Sequence, residues 1–136
     1  MVNCYSEAIL LGISNQKIGE QIKKGLPVQA VENLEKIAGI TTREMMEILA
    51  VSDRNWRRRK IGGALNLDES NTIFRTARVV SVVLGMTHGD TEKARRWMRT
   101  PRKTLGGETP IACLITDADS QAVIDLVGRI REGIST

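Results

Sequence analysis

The chain has 136 residues and a formal net charge of +4. This length suffices for one domain or for two small lobes that share a core, and it excludes two independent enzyme domains. Aromatic residues make up only 3% of the chain, so aliphatic residues and Met must form the core, and the long stretches of 3.6-residue periodicity predict an all-α fold. The charge is uneven, because 39–63 and 90–103 are net positive and 104–136 is net negative. This pattern indicates two kinds of partner.

Neither the cysteines nor the hydropathy pattern indicates a metal site, a secreted protein or a membrane protein. Cys4 and Cys113 lie far apart, with no CxxC spacing and no His nearby, so we expect neither a zinc site nor a disulfide framework. No apolar run reaches the length of a membrane span, and the N-terminus lacks the pattern of a signal peptide. We therefore expect a cytoplasmic protein that binds no membrane.

The first predicted elements are helices before and after a Gly-Leu-Pro sequence. Residues 5–24 suit a helix that ends at Gly25, but two internal glycines leave two helical pieces or a mobile arm as alternatives. Pro27 suits the first turn of the next helix, and Gly39 suits its C-cap. We expect this second helix to brace the segment that follows it.

Residues 41–63 predict two short helices joined by a tight turn. Thr41 and Glu44 have the spacing of a capping box, and apolar residues then recur at i, i+3 and i+4. Ser52 is a favoured N-cap and opens the second helix. This layout is that of a helix-turn-helix motif, whose second helix lies in the major groove of DNA. The turn residue is Ala50, for which a left-handed conformation costs about 1 kcal/mol or more.

The second helix of this motif is strongly basic. Five basic residues and no acidic residue lie between Arg54 and Lys60, so the helix is suited to neutralise phosphates. We expect Trp56 to pack back onto the first helix through Leu49 and Met45. The basic run is either a solvated helix face or a DNA-binding surface, and its coincidence with the cap and the turn favours DNA binding. The predicted DNA-binding residues are Arg43, Ser52, Arg54, Asn55, Arg57, Arg58 and Lys60.

A long apolar helix follows. Asp68 or Ser70 can open it, and it should run to about Met86 with apolar residues on more than one face. It is therefore either the central helix of a monomer or, in part, a dimer seam. Because helix-turn-helix proteins commonly pair to read two half-sites, we expect a homodimer.

The remaining elements are short. Asp90 suits the N-cap of a helix over 91–99, whose arginines either contact the DNA backbone or form a solvated face, and Pro101 ends it. The turn-rich stretch after Pro101 is too short and badly spaced for a phosphate-binding loop. Pro110 can begin a short helix that ends near Leu114.

The last helix and the loops offer no catalytic constellation. Asp117 or Asp119 should cap a helix that has apolar residues at helical spacing and charged residues near its end. His88 is the only histidine, and it lies in a predicted loop without the neighbours of a catalytic triad or a metal-ligand set. We therefore predict no enzymatic activity, no metal and no cofactor.

The segment from Gly25 to the end resembles the Xre/MbcA/ParS-type antitoxins, and most of all the Xre antitoxins of RES–Xre toxin–antitoxin pairs. The resemblance covers about four fifths of the chain and rests on GLPVQAVENLEKIAGITTREMMEILAVSDRNWRRR and, most specifically, on KARRWMRTPRKTLGGETPIACL. The family usually has Gly-Ile-Ser where this chain has Ala50, Val51 and Ser52.

The resemblance implies a bacterial antitoxin with an Xre-like helix-turn-helix lobe over residues 1–86 and a small helical toxin-binding lobe over 87–136. Its partner would be a RES-domain toxin, an ADP-ribosyltransferase-like enzyme that consumes NAD, whose active site the C-terminal lobe covers. The antitoxin would also bind operator DNA and repress its own transcription. Carried over by position, the toxin-binding residues are Leu105, Gly106, Gly107, Thr109, Pro110, Leu114, Arg129, Arg131, Glu132, Gly133 and Ile134.

Two other hypotheses stay open at this point. One is a free-standing dimeric repressor, whose C-terminal lobe only dimerises or senses a ligand. The other, suggested by Ala50, is a toxin neutraliser with a vestigial DNA-binding motif. The antitoxin hypothesis accounts for both charged regions, because an acidic C-terminal lobe can pair with a basic pocket that binds the phosphates of NAD.

Overall fold

The structure is a computed structural model that describes residues 5–133. Within these residues the chain forms eight α-helices and two 3-10 helices and no β-strand, which confirms the predicted all-α fold. The α-helices are α1 (Glu7–Leu11), α2 (Ile18–Lys24), α3 (Val28–Ala38), α4 (Thr42–Leu49), α5 (Asp53–Gly62), α6 (Leu67–Met86), α7 (Thr91–Met98) and α8 (Asp117–Arg131). The 3-10 helices cover Lys103–Leu105 and Ala112–Ile115. No helix in the described part of the chain is both long and apolar enough to cross a membrane.

The N-terminal region forms two helical pieces, as one of the two alternatives predicted. Gly12 ends α1 in a left-handed conformation, and the side-chain amide of Asn33 donates to the carbonyl of Leu11, 3.1 Å away. Gly25 ends α2 with φ of 100°, and a Cβ there would lie 2.2 Å from the carbonyl oxygen of Leu65. The position therefore requires glycine for both backbone conformation and space.

The start of α6 differs from the prediction. Asn66 is the N-cap, because its side chain accepts from the backbone N–H of Glu69 while the Glu69 carboxylate accepts from the N–H of Asn66. This reciprocal capping box begins the helix one residue before Asp68. Ser70, the other expected cap, is buried, and its hydroxyl oxygen accepts a 2.8 Å hydrogen bond from the N–H of Leu26.

The start of α8 was also predicted at the wrong residue. Thr116 is the N-cap, since its hydroxyl oxygen accepts from the N–H of Asp119, so neither Asp117 nor Asp119 performs this role. The short helix expected after Pro110 is the 3-10 helix Ala112–Ile115. Both differences are shifts of one or two residues within correctly predicted elements.

The long helix α6 is the centre of the fold. It packs against α1, α2, α3, α4, α7 and α8. Its apolar stripe, formed by Ile73, Ala77, Val80 and Leu84, lies in the core, and none of these residues is more than 2% exposed. These side chains are therefore used within a single chain, as in the first of the two hypotheses for this helix, and are not available as a dimer seam.

Arg95 of α7 and Arg99, the residue that directly follows this helix, hold the C-terminal part of the chain against its N-terminal half. Arg95 donates to two carbonyls in the last turn of α3, at 2.6 and 3.1 Å. Arg99 donates to the carbonyl of Gly39 and forms two hydrogen bonds with the carboxylate of Glu44, at 2.8 and 2.9 Å. These two side chains thus form specific internal contacts, although Arg99, like Arg96, is exposed.

Candidate functional site

Helices α4 and α5 form the predicted two-helix motif. The hydroxyl of Thr41 accepts from the N–H of Glu44 at 3.1 Å, and the Glu44 carboxylate accepts from the N–H of Thr41 at 3.0 Å. Ser52 caps α5 by accepting from the N–H of Asn55 at 3.2 Å. Ala50 connects the helices in a left-handed conformation with φ of 56°. The capping box, the tight turn and the start of α5 are therefore confirmed.

The left-handed conformation of Ala50 is unfavourable for any residue with a Cβ, so Ala50→Gly should relieve strain in the folded state. We expect a net stabilisation on the order of 0.5 to 1 kcal/mol, because glycine also raises the backbone entropy of the unfolded chain. Urea unfolding of the purified protein measures this change, and the slope of the transition should not change. The control is Ala122→Gly, which lies within α8 and should destabilise by about 1 kcal/mol. A destabilising Ala50→Gly would contradict the strain assigned to this turn.

The outer face of α5 is basic and accessible. Trp56 is only 4% exposed and joins the core cluster that contains Met45 and Leu49, as predicted. Arg43 on α4 and Ser52 at the start of α5 are exposed as well. Among the described residues, no carboxylate forms an ion pair with the basic residues of this outer face. The exposed residues of α5 from the predicted DNA-binding set are Arg54, Asn55, Arg57, Arg58 and Lys60.

Arg59 differs from its basic neighbours because it faces α6. Its Nε donates to the carboxylate of Glu69 at 2.8 Å, and Glu69 is only 5% exposed. The same carboxylate caps the start of α6, so one group fixes both helices. The sequence offered one signal for this role, since Arg59 lies three residues after Trp56 and therefore on the inward side of the helix.

Lys60 of α5 interacts with an aromatic ring of its own helix and with a carboxylate of α3. The ammonium group of Lys60 lies 5.8 Å from the centre of the Trp56 ring, within the range of a cation–π contact. Burial raises the pKa of Glu35, while a hydrogen bond with Thr42 and the positive charge of Lys60 act in the opposite direction. Lys60 is thus held by the fold even though it is exposed.

The loop after α7 is tightly closed. The N–H of Arg102 donates to the carbonyl of Glu108, and the N–H of Gly107 donates back to the carbonyl of Arg102 at 2.9 Å. Gly106 and Gly107 both have positive φ, and a Cβ on either would meet only open space. The guanidinium of Arg102 stacks on the Trp97 ring at 4.5 Å and supports the loop from below. The backbone of Gly106 and Gly107 is therefore exposed, and the contact between Arg102 and Trp97 holds the loop in place.

The predicted toxin-binding residues divide into surface and interior positions. Gly106 and Gly107 are exposed, and Leu105 and Thr109 are half-buried. Leu114 is fully buried and Pro110 is buried, so their side chains support the surface and do not form it. That these two residues contact a partner stays a prediction, while their side chains are packed in the core of the free chain.

The second part of the predicted surface is the end of α8. The 3-10 helix Lys103–Leu105 packs against α8, so the loop and this helix are neighbours. Arg131 crosses α6 at Gly85, where a Cβ would lie 2.9 Å from its Nη1. Ile134 lies outside the described residues. The remaining predicted residues here, Arg129, Glu132 and Gly133, are exposed.

The described residues offer no site suited to metal chemistry. No group of three or more His, Cys, Asp or Glu side chains between residues 5 and 133 could hold a metal ion. Cys113 is buried, and burial raises the pKa of its thiol, so it behaves as a small core residue.

Two domain families match the chain in tandem. Residues 17–78 match the antitoxin Xre-like helix-turn-helix domain, and residues 83–133 match the antitoxin Xre/MbcA/ParS C-terminal toxin-binding domain. The chain is also 33% identical over 114 residues to Antitoxin Xre of Photorhabdus laumondii. The aligned segment covers 83% of this chain and 77% of that protein. The chain belongs to the antitoxin Xre family.

Two other relatives support the same assignment. Antitoxin Xre of Yersinia enterocolitica is 33% identical over 116 residues, 85% of this chain and 78% of the relative. Antitoxin Xre of Pseudomonas putida is 32% identical over 69 residues, 51% of this chain and 43% of the relative. The prediction of an Xre-type antitoxin with a helix-turn-helix domain followed by a toxin-binding domain is confirmed. Proteins of this Xre antitoxin family are typically not enzymes.

Proposed function

We propose that this Xre-family antitoxin neutralises a RES-domain toxin that degrades NAD, and that it binds operator DNA to repress its own transcription. In this proposal the C-terminal surface covers the active site of the toxin. The observation that carries the proposal is that the chain has two different surfaces in two different domains. The basic helix α5 lies in the helix-turn-helix domain, and a second surface lies in the toxin-binding domain.

The DNA-binding part of the proposal is supported by the geometry of α5. Trp56 and Arg59 fix the helix from inside, so its outer cations are held on a rigid element. A helix of this size fits the major groove, and Arg54 and Asn55 lie in its first turn, where side chains meet base edges. Arg57 and Arg58 are suited to contact phosphates or bases.

The toxin-binding part is supported by the closed loop and the end of α8. The exposed backbone of Gly106 and Gly107 lets a partner approach closely, because neither residue has a side chain in the way. Arg129 and Glu132 add exposed charge at the end of α8, and the region from residue 104 onward is net acidic. An acidic surface complements a basic pocket that binds the phosphates of NAD.

We also propose that the antitoxin binds its operator as a homodimer, since paired half-sites are the usual target of this motif. The buried stripe of α6 offers no contact, so the pairing must use other residues. Ile61, which is 89% exposed at the end of α5, and Leu67, which is 49% exposed at the start of α6, are accessible apolar side chains near the motif.

Co-expression with the product of the adjacent open reading frame tests the proposal. That product alone should stop growth and deplete cellular NAD, and the antitoxin should copurify with it and restore both. If the adjacent product is harmless or does not copurify, the antitoxin assignment for this pair fails. Operator binding by the lone protein in that case would favour the free-standing dimeric repressor.

A further inference from the structure

A groove of about 160 Å³ lies between α4 of the helix-turn-helix domain and the segment 109–115 of the toxin-binding domain. This volume is comparable to the roughly 150 Å³ engineered cavity that holds a benzene molecule, so the groove has room for one large apolar side chain. The groove is lined by two carboxylates and by apolar residues from both domains, chiefly Glu44, Glu47, Ile48, Thr109, Ile111 and Ile115.

The groove combines an exposed apolar side chain with an uncommitted negative charge. Ile115 is 49% exposed, which is unusual for a large aliphatic residue at the end of a packed segment. The carboxylate of Glu44 is committed, because it bonds Arg99 and the N–H of Thr41. Glu47 is exposed and forms no ion pair within the described part of the chain. Glu47 is therefore the charge that remains for a partner.

We propose that this groove is a second contact site for the toxin, and that it takes an apolar toxin side chain flanked by Lys or Arg. The inference rests on the proposed function, because it extends the surface by which the antitoxin binds its toxin. Thr109 belongs both to the groove and to the predicted toxin-binding loop, so the two surfaces are continuous. The groove, however, includes α4, which lies outside the matched toxin-binding domain.

Charge complementarity selects this partner over DNA. Carboxylates at the rim of the groove repel phosphates, whereas the cations suited to DNA lie on α5. A cation of the toxin gains a partner in Glu47, while the neighbouring apolar side chain buries Ile115. The toxin would then contact both domains, including the first helix of the DNA-binding motif.

The test uses the full-length antitoxin and the purified product of the adjacent open reading frame, with affinity measured by isothermal titration calorimetry. Ile115→Ala and Glu47→Lys should each weaken toxin binding about tenfold, as expected for residues near the centre of an interface. The loss caused by Glu47→Lys should be smaller at 0.5 M salt, because ions screen exposed charges at roughly the 10 Å scale or below. Operator affinity of Ile115→Ala should equal that of the wild type.

Matched controls separate the groove from general effects. Ile9→Ala removes an apolar side chain of α1 that is 58% exposed, compared with 49% for Ile115, and Glu92→Lys reverses an exposed charge in the first turn of α7. Neither should change toxin affinity. Thermal unfolding of all four variants reports whether each is folded, and the two test variants change different chemistry, so a folding defect in one leaves the other informative.

Three results would overturn the inference. If both test variants bind the toxin as tightly as the wild type does, the groove is not a contact, while the proposed function stands. If the variants change self-association in sedimentation but not toxin affinity, the groove binds a second copy of the chain. If the wild type itself does not bind the toxin, the proposed function and the inference both fail.

Discussion

Operator binding should fall by about a hundredfold or more when Arg54, Arg57 and Arg58 are replaced together by Ala. In the proposed operator complex each of these exposed arginines contacts a phosphate or a base, and the loss of one such contact costs roughly 1 to 3 kcal/mol. The loss should occur at low salt as well as at high salt. The logarithm of affinity should also depend less steeply on the logarithm of salt concentration, with the slope reduced by about 3.

Fluorescence anisotropy with a promoter duplex, at several salt concentrations, measures both quantities. The control is a triple replacement of Lys93, Arg96 and Lys103 by Ala, which removes the same charge from exposed positions in the toxin-binding domain. The control should bind operator within a few-fold of the wild type. Unchanged operator binding by the α5 variant would show that these arginines do not contact DNA, whereas an absence of operator binding by the wild type would leave the hypothesis of a toxin neutraliser with a vestigial motif.

A chain that ends at Gly128 should lose toxin neutralisation and keep operator binding. The truncation removes the exposed charges of Arg129 and Glu132, together with the predicted anchor Ile134. It leaves the buried residues of α8, including Val123 and Val127, in place. We therefore expect the domain to stay folded while the surface that covers the toxin is lost.

Growth rescue in cells that express the toxin measures neutralisation, and fluorescence anisotropy with the promoter duplex measures DNA binding. A full-length variant with Arg129→Ala and Glu132→Ala is the companion, because it changes side chains without shortening α8. It should show an intermediate loss of rescue. A truncated chain that still rescues growth would show that the end of α8 does not contribute to neutralisation.

Local signals in the sequence predicted the DNA-binding motif in detail. The Thr41 and Glu44 capping box and the Ser52 cap depend on residues within three positions of one another, and the burial of Trp56 depends on the adjacent helix of the same motif. Side chains at such spacing meet whatever the rest of the fold does. The left-handed conformation of Ala50 could also be anticipated, because the residue that follows a helix before a tight turn very commonly adopts it.

Contacts between distant residues could not be predicted in the same way. Arg95 and Arg99 look like their exposed neighbours in sequence, and only tertiary contacts distinguish them. For Arg59 the helical spacing indicates the inward side of α5 but does not identify its partner Glu69. Ser70 was a plausible helix cap, but its hydroxyl bonds Leu26 instead, 44 positions away in the chain. Which of several similar polar residues caps a helix or forms an internal bond therefore depends on residues distant in sequence, and a local sequence pattern does not contain them.

The burial of Leu114 could not be predicted from the local sequence either. A short apolar segment after a turn is compatible with an exposed contact surface and with the core, and periodicity does not separate the two over four residues. In the structure Leu114 is fully buried, and Arg75 of α6 donates to its carbonyl at 2.8 Å. Ile115, the next residue, is the exposed one.

Hydrogen exchange of the full-length protein, alone, with the promoter duplex and with the toxin, tests most directly whether two separate surfaces bind two partners. The duplex should slow exchange of backbone amides in α5, over residues 53–62, and leave residues 103–133 unchanged. The toxin should slow exchange in the loop of residues 103–110 and at the end of α8, and leave α5 unchanged. Protection of α5 by the toxin, or no toxin protection after residue 103, would contradict this division.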